Sequence, residues 1–194
     1  MPLLAVWSWA VGFSIAISAV VFLTVFGPRP DIATAIETPR FLFKFLVTIT
    51  LAVSAFYCVR ALARPGESGR NTILCLAAAP ALIVTAVVVE LFILPPDIWS
   101  ATMIGTNSIV CLIYIPLIGL GPLVILMLAL RHSAPTRPGL AGAVAGVLAG
   151  GIAATFYAAQ CNNDSPLFVA TWYTIAITGL AVLGAIGANQ LARW

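Results

Sequence analysis

Six runs of predominantly apolar residues, at roughly 3–26, 41–62, 72–94, 107–130, 139–159 and 167–190, follow one another with short connections between them. Each reaches the length of about 20 residues that an α-helix needs to cross the hydrocarbon region of a bilayer. In lipid the backbone must satisfy its own polar groups, and the runs are too long and lack the alternation of barrel strands, so helices are expected. Charged residues make up 8% of the chain, against about a quarter in a typical soluble domain. The expected fold is therefore an all-α integral membrane protein, with six transmembrane helices in a single domain over residues 1–194. Too little chain lies outside the runs for a soluble catalytic domain. The first run is no ordinary signal peptide, because no basic residue precedes it and its apolar part exceeds the usual 7–15 residues or so.

The basic residues orient this arrangement. Arg60, Arg64, Arg70, Arg131, Arg137 and Arg193 fall on one side, whereas Arg29, Arg40 and Lys44 fall on the other, where the third and fifth connections carry no Lys or Arg. By the positive-inside rule, both termini and the second and fourth connections are cytoplasmic, which in a bacterium places the remaining connections in the periplasm. Trp7, Trp9, Trp99, Trp172 and Trp194 fit interfacial aromatic belts. The net charge of +3 follows from this topology and calls for no nucleic-acid partner; membrane lipid is the expected surrounding.

The outer connections resemble one another. "PDIATAIETP" begins at Pro30 and "PDIWSATMIG" at Pro96, and Asp31, Asp97 and Asp164 recur at intervals of about 66 residues, a spacing suggestive of three helical hairpins. Thr38-Pro39 and Ser165-Pro166 each place a hydroxyl at a helix N-cap and proline at the first helical position. Gly142, Gly146 and Gly150, with Ala141, Ala145 and Ala149 beside them, form a stripe of small residues suited to close helix packing. Pro116 and Pro122 are expected to kink the fourth helix.

Two ionisable residues lie inside the runs. Lys44 and Glu90 both sit within roughly 8 Å of the outer helix ends by helical rise. A charge near the centre of a helix in lipid costs about 2.5–3.5 kcal/mol, so the two are expected to form an intramembrane ion pair. An ion or proton site is the functional alternative, and a small transporter or channel would use Lys44, Glu90 and Asp164 as a polar path.

The cysteines divide by side. Cys58 and Cys75 lie toward the cytoplasm, where thiols stay reduced, and read as buried fillers. Cys111 and Cys161 lie near the outer face, where disulfides form and persist. Two thiolates there also suit a soft metal. The residues alone leave open a structural disulfide, inert thiols or a sensing pair. The single histidine, His132, reads as a solvated surface residue, and no zincin, P-loop, nucleophile-elbow or Cys-x-x-Cys motif occurs. An enzyme is not expected, and no cofactor is implied.

"GPRPDIATAIETPRFLFK" (27–44), "LPPDIW" (94–99), "GTNSIVCLIYIPL" (105–117) and "CNNDSPLFVATWYTIAI" (161–177), with a terminal "RW", resemble the NrsF family from about residue 25 onward. These are bacterial inner-membrane anti-sigma factors that hold an extracytoplasmic-function sigma factor of the sigma-F type. The resemblance implies a sigma-factor partner on the cytoplasmic side. It also implies that the family's cysteine pair, falling on Cys111 and Cys161, takes part in sensing heavy-metal or oxidative stress. Family members look as though they begin with a polar cytoplasmic segment, whereas Met1 here leads almost directly into "PLLAVWSWAVGF". The expectation is that the true start lies upstream, that the partner is bound through connections 63–71 and 131–138, or that sigma binding has been lost.

Overall fold

A computed structural model describes residues 3–63, 74, 76–133 and 135–191. Arg64, Arg70, Cys75, Arg193 and Trp194, with the start of the expected third span, lie outside the described residues. Among those described there is no strand. The longer helices are α1 (Leu3–Val21), α2 (Pro39–Leu62), α3 (Ala78–Ile93), α4 (Ser108–Arg131), α5 (Pro138–Ala158) and α6 (Pro166–Leu191). A π-helical turn, Phe22–Phe26, extends α1, and a second, Val169–Tyr173, lies within α6.

Five helices among the described residues are long and apolar enough to cross a membrane: α1 with its π turn, α2, α4, α5 and α6. α3 is shorter, with 16 residues, and falls below that length. Sixteen residues rise only about 24 Å, against a hydrocarbon core of about 30 Å. α3 stops where it does because Leu94 precedes Pro95, which disfavours the helical region, and Leu94 is extended at φ −88° and ψ 137°. The bundle's flanks are rich in exposed apolar side chains, among them Phe92, Ile109, Leu23 and Ile93, the surface that lipid rather than water tolerates.

α5 is the axis of the bundle, packed against α2, α4 and α6. Its small-residue stripe makes that possible. A methyl group at Gly142 would run into the Gly184 carbonyl oxygen, and one at Gly146 into the Leu180 carbonyl oxygen, so the backbones of α5 and α6 touch directly. α4 stays helical through Pro116 and Pro122. Trp7 departs from the expected aromatic belt. It is fully buried in one cluster with Cys58, Val59 and Leu126, because α1 turns that face onto α4 and α5 rather than toward the interface.

At one end of the bundle α1, α3 and α5 finish while α2, α4 and α6 begin. Two glycines with positive φ shape the connections there: Gly27 (φ 72°), closing the π turn of α1, and Gly105 (φ 58°), ending the short helix Trp99–Ile104. A side chain at Gly105 would also strike the Phe168 ring at 2.7 Å, so the approach of that loop to α6 requires glycine.

Candidate functional site

The connection between α5 and α6, "QCNNDSP", draws in side chains from the α1–α2 connection, from α2, from α3 and from the start of α4. Tyr157 accepts the Cys161 N–H at 3.0 Å as α5 ends, and Ala159 accepts the Arg29 backbone N–H at 3.1 Å, which lays the α1–α2 connection alongside. Pro166 then opens α6 at its first position.

Lys44, one turn into α2, is wholly buried and points into this connection. Its Nζ lies 2.5 Å from Asp164 Oδ1 and donates to the Cys161 carbonyl oxygen at 2.8 Å. Arg29 completes the cluster, with Nη1 3.1 Å from Asp164 Oδ2 and 3.4 Å from the same Cys161 carbonyl. Its other edge makes a two-point pair with Asp31, Nε to Oδ1 at 2.7 Å and Nη2 to Oδ2 at 2.6 Å. The ring of Phe41 lies beneath both cations, 5.1 Å from Lys44 Nζ and 5.8 Å from Arg29 Cζ. Two cations and two carboxylates thus balance one another, the condition under which a charge is tolerated away from water. The Asp31 hydrogen bonds, together with Asp164, raise the Arg29 pKa above its ordinary value against the opposing effect of burial. Arg29 in turn holds the Asp31 carboxyl below the usual carboxylate range.

The expected Lys44–Glu90 pair is therefore corrected. The two residues share a depth but have different partners, because α2 packs on α5 and delivers Lys44 to the α5–α6 connection, while α3 lies against the first turns of α6. Glu90, 3% exposed, accepts the Ser165 hydroxyl at 2.8 Å and the Leu167 N–H at 2.9 Å through Oε2. Its Oε1 faces Arg40 at 3.7 Å, a loose pair with a half-exposed partner. The helix start at Ser165-Pro166 is where the sequence places it, but the cap is not the serine. A carboxylate from another helix takes the free N–H and the serine hydroxyl together, being the stronger acceptor at the positive end of a helix. Thr38 likewise turns its hydroxyl back to the Ala35 carbonyl rather than capping α2.

Cys111, in the first turn of α4, and Cys161 are buried in one cluster with Tyr157, Phe168, Val169 and Tyr173, and neither is in a disulfide. The Cys161 thiol faces the Asn163 carbonyl at 3.7 Å and the Tyr157 and Tyr173 hydroxyls. The tyrosines line up, with ring centroids 6.2 Å apart for Tyr114 and Tyr157 and 5.8 Å for Tyr157 and Tyr173. Cys58 belongs to a different buried cluster, toward the far end of α2. Among the described residues no three His, Cys, Asp or Glu side chains gather as a metal site, so a metal held by Cys111 and Cys161 would draw on those two thiolates and groups of other kinds.

Of the aspartates at the repeated spacing, Asp31 and Asp164 are joined through Arg29, whereas Asp97 stands apart, exposed on the turn Pro96–Ile98. Sequence reasoning missed Arg29 as the bridge, Phe41 as the shared aromatic face and the tyrosines around Cys161. The "RPD" of residues 29–31 held a partial signal, a cation two residues from a carboxylate.

The model of a family described as the negative regulator of sigma F, NrsF, matches residues 1–194. The anti-sigma-F factor NrsF of Caulobacter vibrioides (strain NA1000 / CB15N) is 34% identical over 168 residues, covering 86% of this chain and 78% of that protein. The probable anti-sigma-F factor NrsF of Azospira oryzae (strain ATCC BAA-33 / DSM 13638 / PS) is 28% identical over 186 residues, covering 95% and 87%. No solved structure matches. With the whole length matched and the resemblance of its separate motifs agreeing, this chain belongs to the NrsF family.

Proposed function

We propose that this protein is an anti-sigma factor of the bacterial inner membrane that holds an extracytoplasmic-function sigma factor at the cytoplasmic face and releases it when Cys111 and Cys161 are chemically modified. In this reading the chain spans the membrane six times, with both termini and Arg60, Arg131 and Arg137 on the cytoplasmic side, as the positive-inside rule favours. The site around Cys161 then faces the periplasm, where oxidants and metal ions arrive first.

The observation that carries this reading is the burial of Cys111 and Cys161 in one cluster within a family of sigma-F regulators. Forming a disulfide would remove two protons and two electrons from the thiols, the electrons passing to an electrophilic oxidant. Binding a soft metal would release the thiol protons and leave two thiolate ligands. Either event ties the start of α4 to the α5–α6 connection. Release of the partner follows only if the tied and untied arrangements bind it differently.

The polar-path reading receives no support from the geometry. Lys44, Asp164 and Glu90 have their charges taken up by one another, by arginines and by backbone groups at one end of the bundle. The test is a reporter driven by the partner sigma factor, in cells carrying Cys111→Ser or Cys161→Ser. Each variant is expected to keep repression and lose induction by a thiol oxidant or a cadmium salt. Induction persisting in both variants would overturn the proposal.

A further inference from the structure

The backbone of Cys161 is held by Lys44. A lysine with no exposed surface donates to the Cys161 carbonyl at 2.8 Å and binds Asp164 three residues later, so the segment that carries the thiol is tied at two points to α2. Arg29 touches the same two acceptors but stands on the α1–α2 connection rather than on a long helix. Lys44 therefore provides the direct charged link between the Cys161 segment and a continuous helix that runs to the far end of the bundle. Along that helix, Phe41 and Lys44 lie at the Cys161 end, while Ala55, Cys58 and Val59 pack into the other buried cluster beside Trp7, Leu126 and Leu130. From Lys44 to Cys58 the helix rises about 21 Å, most of the way across a hydrocarbon core.

We propose that Lys44 is a positioning residue with two consequences. It keeps the Cys161 thiol sheltered in the resting state, and it transmits any rearrangement of residues 161–164 to α2. The proposal rests on the reading of Cys161 as a sensing thiol and adds the route by which its state leaves the site. A modified Cys161 cannot keep its thiol against the Asn163 carbonyl and the two tyrosine hydroxyls, so the connection must shift. The connection cannot shift freely while Asp164 and the Cys161 carbonyl are bound to Lys44. Because an ammonium left without partners in lipid is costly, α2 is drawn along with its lysine rather than left behind. A rigid helix moves as a unit, and its far end, which carries Arg60, moves with it.

The test uses the full-length protein in native membranes. The variants are Lys44→Met, which keeps the apolar stem, and the neutral pair Lys44→Met/Asp164→Asn, which leaves Arg29 and Asp31 as a balanced pair if the single change fails to accumulate. Alkylation of Cys161 and of Cys58 by N-ethylmaleimide is followed by peptide mass spectrometry, and induction of the sigma-dependent reporter by cadmium is measured in parallel. The expected result is an increase of about tenfold in the Cys161 alkylation rate with Cys58 unchanged, as local opening predicts. The induced-to-uninduced ratio is expected to fall toward one. Unchanged Cys161 alkylation, or an equal rise at Cys58, would overturn the positioning role. A wild-type induction ratio in variants with faster Cys161 alkylation would overturn the transmission role. Induction that survives Cys161→Ser would sink the sensing reading instead, leaving the alkylation result to decide the positioning role by itself.

Discussion

Glu90 accepts the backbone N–H of Leu167 at 2.9 Å, so a carboxylate from α3 caps the start of α6 across a sequence separation of 77 residues. This contact, rather than the serine at the N-cap, secures the helix that follows the Cys161 segment. Glu90→Ala is expected to destabilise the protein by about 1–3 kcal/mol, the cost of leaving a buried donor without its acceptor. Arg40→Ala should cost no more than about 1 kcal/mol, since its pair with Glu90 is long and its side chain half-exposed. Heat-induced loss of folded protein in detergent measures both, and an Arg40 variant as damaged as the Glu90 variant would refute the assignment of the cap.

Lys44 and Asp164 should couple strongly, and Lys44 and Glu90 should not. Removing Asp164 leaves a buried ammonium with one carbonyl and the Phe41 ring but no carboxylate, at a cost of about 3–5 kcal/mol. Removing Lys44 should cost less, because Arg29 still neutralises Asp164. A double-mutant cycle on heat stability is expected to give a coupling of about 1–3 kcal/mol for Lys44→Ala with Asp164→Ala, and near additivity for Lys44→Ala with Glu90→Ala. Stronger coupling to Glu90 than to Asp164 would contradict the geometry described above.

The α5–α6 contact should be intolerant of added volume where backbones touch, at Gly142, Gly146 and Gly184, whereas glycines facing open space should be indifferent to it. Gly146→Ala and Gly142→Ala push a methyl group into backbone oxygens and are each expected to cost at least about 1–3 kcal/mol. Gly179→Ala and Gly12→Ala meet open space, so they should be neutral or stabilising by up to about 1 kcal/mol through helix propensity. A denaturation series in mild detergent separates the two groups, and similar midpoints for all four variants would be inconsistent with backbone contact.

The Arg29–Asp31 pair predicts an acid-sensitive contribution to stability. The Asp31 carboxyl is depressed in the folded protein by the hydrogen bonds from Arg29. Its contribution is therefore present above the ordinary carboxylate value and disappears as pH falls through the lower, folded value. Arg29 is shifted the other way, so its share is present throughout the range in which the protein can be handled. Heat-stability curves for the wild type and Asp31→Asn should differ at neutral pH and converge in strong acid. Curves that stay parallel down to the lowest pH would exclude the pair as the source.

The long helices were legible because suitability for lipid is a requirement that each helix meets along its own length. Each must hide its own backbone polar groups and present apolar side chains outward, and both demands can be read residue by residue. Breaks were equally local, with Pro39, Pro138 and Pro166 opening helices and Leu94 before Pro95 closing one. The stripe at Gly142 and Gly146 pointed to a close helix contact for the same reason, because small size is a property of the residue itself.

Partners were a different matter. Lys44 and Glu90 look like a pair in sequence because depth is the one coordinate that helical rise supplies. The angle at which each side chain leaves its helix, and which neighbour lies on that side, depend on how the helices pack against one another. Hence Lys44 binds Asp164 and Cys161, Glu90 caps α6, and Arg29 joins two aspartates that the repeat spacing lists but cannot connect. Sequence alone determined an all-helical chain suited to lipid, the proline-marked starts and stops of several helices, and the family. Tertiary structure decided which charges neutralise one another and what shelters the Cys161 thiol, because electrostatic pairing falls off over a few ångströms and only packing sets distances that short.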